Sequence, residues 1–257
     1  MSTSLPTDWS PADDTLRGRN IMITGASDGI GRALAVACAK LGATVILLGR
    51  DQDKLAAAYD EVLALGGAEP AMVPLNLAVA RPQDFDQLAA MLQAEFGHLD
   101  GLVHCAAILG DITPVEQYEP DTWLQVLQVN LNAPVFLTRA LMPLLKAAPA
   151  ASVVFASSSV GRKGRAFWGA YAVSKAGIES VTQILADEME NVSSIRFNAV
   201  NPGGTRTAMR QRAYPAENPR SVKTAEQTLP VFLWLLCDES RAVRGQSLDA
   251  PPVTPAG

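Results

Sequence analysis

The stretch from Trp168 to Gly177 reads WGAYAVSKAG and sets one tyrosine four residues before one lysine in a run of small apolar residues. In a helix, positions four apart lie one above the other, so the Tyr171 phenol and the Lys175 ammonium point the same way. That pairing suits proton transfer. A carbonyl that receives hydride becomes an alkoxide and needs an acid beside its oxygen. Moving a phenol from about 10 to near 7 requires roughly 4 kcal/mol. An ammonium about 4 Å away supplies roughly that at an effective dielectric of about 20. On this arithmetic one cation suffices to activate Tyr171.

A second stretch, NIMITGASDGIGRALAVACAKLG, places Gly25, Gly29 and Gly31 between an apolar run and a helical pattern. Gly25 permits a tight turn, Gly29 lets the backbone approach a pyrophosphate, and Gly31 allows close helix–strand packing. The helix N-terminus adds donors and positive dipole. Further along, VILLGRDQDKL has Gly49 and Arg50 where NAD users often carry an acid for both ribose hydroxyls. Arg50 can meet a 2′-phosphate, with Ser27 adding a hydroxyl, so the cofactor is expected to be NADP(H). Asp51 stands one residue further on and is the counter-indication.

These residues need a frame. Apolar runs at Ile21 to Thr24, Thr44 to Leu48, Ala71 to Leu75, Gly101 to Cys105, Ser152 to Ala156 and Ile195 to Val200 read as strands covered on both faces. Helical patterns lie between them at about 29 to 41, 52 to 65, 83 to 97, 121 to 147 and 169 to 190, with another near 225 to 237. The alternation predicts a single-domain Rossmann α/β fold, a doubly wound parallel sheet with helices on both faces. Residues 1–18 read as a polar N-terminal arm and 19–257 as the domain. Right-handed crossovers put the strand C-termini, and therefore the ligands, on one edge.

The 257-residue chain is 48% hydrophobic and 18% charged, ample for a sizeable core. A net charge of −5 provides no global attraction for nucleic acid or anionic lipid. Cys38, Cys105 and Cys237 form no CxxC, and His98 and His104 have no partners at metal-ligand spacing. No run of 18 apolar residues and no export signal is present, so the expectation is a cytoplasmic protein that uses no metal, nucleic acid or membrane.

TGASDGIG, Asn130, Ser158 and YAVSK together resemble the short-chain dehydrogenases/reductases, over residues 18–249. Ser158, Tyr171 and Lys175 stand at the family spacing S-x12-Y-x3-K, and NPGGTRT is similar to its PGxxxT segment. SSSVGRKGRAFWGAYAVSK and NPGGTRTAMR are similar to a YciK-like bacterial subgroup. The resemblance implies an NADP(H)-dependent interconversion of a small-molecule carbonyl and alcohol by hydride transfer. Tyr171 is then the acid/base, Ser158 hydrogen-bonds the substrate oxygen, and Lys175 also holds the nicotinamide ribose. It also implies cofactor contacts at Asp28, Ile30, Asn76, Leu77, Ala106, Pro202, Gly203, Thr205 and Thr207. A homodimer or homotetramer through the helices near 121–147 and 169–190 is implied as well. The alternative function is an NADP(H)-binding sensor or interaction protein with little turnover.

Three departures from the family pattern matter. HCAA at 104–107 replaces the common NNAG and puts the central sheet and the cofactor fit at stake. Asn76 stands where an aspartate often meets the adenine amino group, and its amide oxygen can still accept that bond. The ending LDAPPVTPAG departs from DGG, which bears on subunit contacts.

The loop of about 204–224 carries Arg206, Arg210, Arg212, Arg220 and Lys223 against the single acid Glu217. This local inversion of charge suggests a mobile lid favouring anionic substrates, although a solvated loop or subunit contact has the same composition. Pro134 lacks the N–H that the Asn130 carbonyl would accept in a regular helix. In the family the equivalent main chain holds a water that relays protons to the lysine. The competing reading is a simple kink that Asn130 caps through its side chain.

Overall fold

The computed structural model describes residues 4–252. Each apolar run pairs with its neighbours in parallel. The strands are β1 (Asn20–Thr24), β2 (Thr44–Gly49), β3 (Ala71–Pro74), β4 (Gly101–His104), β5 (Ser152–Ala156), β6 (Arg196–Asn201) and β7 (Ser247–Asp249). They form one sheet in the order 3-2-1-4-5-6-7. β7 is absent from the predicted set because SLD is a three-residue edge strand with no apolar run. The helices are α1 (Gly29–Lys40), α2 (Gln52–Leu63), α3 (Pro82–Phe96), α4 (Pro120–Leu127), α5 (Ala133–Ala147), α6 (Ser159–Arg162), α7 (Gly169–Met189), α8 (Ala208–Ala213) and α9 (Leu229–Leu236).

Alternation along the strands divides the core into two slabs. Ile21, Ile23, Val45, Leu47 and Val154 face the layer built by α1, α2 and α9. Met22, Ile46, Leu48, Val153 and Phe155 face the layer of α3, α5 and α7. Helix starts follow local chemistry: the Asp51 carboxylate accepts from the Lys54 N–H at 3.1 Å, and the Asp84 carboxylate accepts from the Arg81 N–H at 2.7 Å. The N-terminal arm is polar in sequence, yet Leu16 is fully buried and Leu5 and Trp9 pack on the same slab as α1.

The long helix expected over 121–147 is divided. Residues Gln128–Asn132 form a π-helical turn between α4 and α5, and the Ala133 N–H donates to the Gln128 carbonyl five residues back. Pro134 supplies the reason, since it cannot donate in the regular register and a wider turn accommodates the missing bond. The loop at 204–224 is closed at its base by a bridge between Thr205 and Lys223 and contains α8. No described helix is long and apolar enough to cross a membrane.

Candidate active site

Because all the strands run in parallel, their C-terminal ends share one edge, and a cleft of about 510 Å³ opens there. Every cofactor-binding position named from the sequence lines it, as do Ser158, Tyr171 and Lys175. Asn130 lies behind it.

The glycine turn forms one wall. Gly25 has φ +68°, and a Cβ there would come within 2.8 Å of the Ala106 main chain. A Cβ on Gly31 would stand 2.3 Å from the Gly25 carbonyl oxygen, so α1 begins in direct contact with the turn that precedes it. The Asp28 carboxylate accepts from the Gly29 N–H at 2.7 Å, and Lys54 lies 3.6 Å from Asp28. At the end of β2, Arg50 is exposed along the cleft, while Asp51 is engaged as the cap of α2.

Tyr171 and Lys175 lie on the first turns of α7. Lys175 is 3% exposed, and its ammonium donates to the Ala156 carbonyl at 2.6 Å while sitting 5.7 Å from the Tyr171 ring centroid. Burial lowers the Lys175 pKa to about 8, against upward pulls from Cys105 and Glu179. Burial pushes the Tyr171 phenol up to about 12, and the adjacent Ser158 side chain pulls the other way. One cation therefore does not suffice to bring the Tyr171 phenol down toward neutrality. The cost of placing a phenolate in a dry site outweighs the attraction of the ammonium. In this state Tyr171 keeps its proton at neutral pH, as an acid should.

The buried ammonium also has a stability consequence. The unfolded chain binds this proton up to its ordinary pKa of 10.5, the folded chain only to about 8, so stability rises with pH between the two. Below about 8 the full penalty applies, on the order of 3 kcal/mol.

The Asn130 side chain does not cap the helix break. Its Oδ1 accepts from the Ile108 N–H at 2.8 Å, and its Nδ2 donates to the Ile108 carbonyl at 2.9 Å and to the Ser174 hydroxyl at 3.2 Å. It thereby ties the segment after β4 to α7. Asn130, Pro134, His104, Ala156 and Lys175 line one narrow gap behind the cleft.

The HCAA segment leaves the sheet intact, with β4 paired to both β1 and β5. His104 is buried, its Nε2 within 2.9 Å of the Thr138 hydroxyl and its ring stacked on Phe155 at 4.9 Å. Burial lowers its pKa to about 3, so the ring is neutral. Burial likewise pushes Cys105 up to about 12 and keeps it a thiol.

Trp168 and Lys54 line the cleft although no role there was assigned to them from the sequence, and Arg210 and Arg212 of the basic loop line it too. The signal for Trp168 was its place beside Tyr171, whose ring is 5.6 Å away. Phe167, just before it, adopts φ +73°, an unfavourable conformation for an aromatic residue that fixes the entry to α7. In the basic loop one cation meets the loop's own acid and two more are held by main-chain carbonyls. Arg210 pairs with Glu217 at 2.6 Å, the Arg206 Nε donates to the Pro219 carbonyl, and the Lys223 ammonium donates to the Ala250 and Pro251 carbonyls.

A tyrosine–lysine pair on one helix, a serine beside the phenol and a glycine turn on the same sheet edge agree with a sequence comparison. The short chain dehydrogenase family matches residues 19–218. This chain belongs to that family. The oxidoreductase YciK of Escherichia coli K12 is 46% identical over 244 residues, covering 95% of this chain and 96% of that protein. A short chain dehydrogenase from Pseudomonas syringae superposes with a TM-score of 0.93 at 49% identity, covering 95% and 99% of the two chains. Another from Shigella flexneri, solved with NADP, gives a TM-score of 0.91 at 46% identity, covering 94% and 100%.

Proposed function

We propose that this short-chain dehydrogenase is an NADP(H)-dependent oxidoreductase that interconverts a carbonyl and an alcohol, with Tyr171 as the acid/base. The observation that carries the reading is the convergence of Ser158, Tyr171 and buried Lys175 on the cleft that the glycine turn also walls. The residues fit the cofactor. The approach of Gly31 to Gly25 leaves no room for a side chain in the turn, and it opens the N-terminus of α1 toward the cleft. Arg50 and Lys54 stand at the end where a 2′-phosphate would lie, and Asp51 is occupied elsewhere. The NADP bound by the Shigella flexneri relative supports the same assignment.

The nicotinamide, when bound, supplies or accepts hydride at the substrate carbon. Tyr171 donates the proton to the carbonyl oxygen, Ser158 orients that oxygen, and the Lys175 ammonium stabilises the phenolate left behind. Lys175 would also hold the nicotinamide ribose. The pairing of β4 on both sides removes one support, the HCAA departure, of the alternative reading as a sensor or interaction protein with little turnover. Arg50→Ala is expected to weaken NADPH binding about tenfold or more while leaving NADH binding nearly unchanged. Equal losses for both cofactors in a titration of intrinsic fluorescence would refute the 2′-phosphate role.

The segment 204–224 is read as a lid over an anionic substrate; Arg210 and Arg212 both line the cleft, and with Arg210 paired to Glu217 the role falls to Arg212. A carboxylate-bearing carbonyl should then outperform a neutral one of the same shape, an advantage that falls as salt rises and disappears in Arg212→Ala. Turnover of both at the same rate in a paired assay would remove the anionic preference. A homodimer or homotetramer is consistent with exposed Leu124, Val173 and Ile184 on α4 and α7. The three free cysteines suit the cytoplasm.

A further inference from the structure

Glu179 stands one turn beyond Lys175, so Tyr171, Lys175 and Glu179 form a line on one face of α7. The residue is 9% exposed, and its carboxylate accepts from two hydroxyls, Ser157 beside the catalytic serine and Ser247 on β7 at 2.8 Å. Arg162, at the end of α6, lies 3.5 Å from the same oxygen. The Arg162 guanidinium donates to both Asp249 oxygens at 2.8 and 2.9 Å and to the Ser247 hydroxyl. Asp249 in turn accepts from the Asn201 side chain at 2.7 Å, whose own oxygen accepts from the Gly203 N–H at 3.1 Å. A continuous polar chain thus runs from the serine wall of the cleft, through α7 and β7, to the cofactor loop.

We propose that Glu179 is a positioning residue that, with Arg162 and Asp249, locks the Ser157–Ser159 segment and the Asn201–Gly204 loop to the catalytic helix, making β7 part of the active-site framework. The inference rests on the oxidoreductase reading only for its catalytic meaning. Its electrostatic side follows from the same geometry. The groups facing Lys175 are Tyr171 and Glu179 from its own helix and His104 and Cys105 from the end of β4. His104 is neutral and Cys105 a thiol near pH 7, so Glu179 supplies the opposing charge that keeps the ammonium protonated. Glu179 itself faces Arg162, Ser157 and Ser247. In this chain β7 ends at Asp249 and continues into Ala250-Pro251 where a DGG would be usual, and Asp249 has a defined task here.

The test needs no substrate. The Lys175 signal is followed through a pH titration by NMR in protein carrying 13C-labelled lysine, assigned by its loss in Lys175→Arg. Glu179→Gln keeps the size and hydrogen bonds of the side chain, and should move the Lys175 midpoint from about 8 toward lower pH by about 1 unit. Asp249→Asn should leave that midpoint in place. It should, however, speed amide exchange in Ser157–Ser159 and in Gly203–Gly204 roughly tenfold, as for loss of one hydrogen bond to a charged group. Exchange in α3, remote from the chain of contacts, serves as the control. An unchanged Lys175 midpoint in folded Glu179→Gln, or Asp249→Asn exchange no faster in these segments than in α3, would overturn the proposal. A failed carbonyl screen beside both expected results would remove the oxidoreductase reading and leave the positioning network standing.

Discussion

Tyr171→Phe is expected to retain the fold and NADPH affinity and to lose carbonyl reduction by roughly 10²–10⁴-fold, the usual worth of a positioned general acid. The substitution removes one oxygen from a ring that packs against Trp168, with centroids 5.6 Å apart, so little packing changes. In the proposed mechanism the phenol, aligned with Lys175 on the cleft face of α7, is the proton donor, and neutral His104 lies behind it with its Nε2 engaged by Thr138. With the phenol held near 12 by burial, the resting enzyme carries the proton it must deliver. In the same mechanism the cation acts after transfer, when phenolate and ammonium face each other. Activity that needs charged Lys175 should decline as pH rises through about 8. Stopped-flow reduction and cofactor titration on the same preparation decide the matter. Near-normal turnover by the phenylalanine variant would take Tyr171 out of the mechanism.

Gly31→Ala should be the most damaging single methyl in the cleft. Its Cβ would lie 2.3 Å from the Gly25 oxygen and 2.8 Å from the Gly25 carbonyl carbon, both main-chain atoms. Gly25 cannot retreat, because a position at φ +68° already within contact of the Ala106 backbone has no slack. Overpacking of this kind costs on the order of 3 kcal/mol, or about 10 °C in Tm for a domain of this size. NADPH binding should weaken with it, since the start of α1 moves. Gly164→Ala, where a Cβ meets nothing within 4 Å, is the matched control and should melt within a degree or two of wild type. Thermal melts and cofactor titration of the pair test this, and a Gly31→Ala protein indistinguishable from the control would refute the close-packed turn.

The sequence carried the parallel sheet, the glycine turn and the tyrosine–lysine register, because each is a local pattern. Continuous apolar runs are what strands buried on both faces need, and β1, β2 and β5 follow them nearly residue for residue. Spacing of four on a helix places Tyr171 and Lys175 together without reference to anything distant. The proline at 134 likewise announced a break, though a local rule could not choose between a kink and the π turn that formed. Tertiary structure decided what depends on surroundings. β7 owes its existence to β6 alongside it, the Asn130 side chain to Ile108 and Ser174, and the charge of the basic loop to Glu217 and the carbonyls that engage it. The proton affinities of Tyr171 and Lys175 belong to the same class. Charge attraction can be counted along a helix, but the loss of water that moves both groups the other way is set by elements brought together from across the chain.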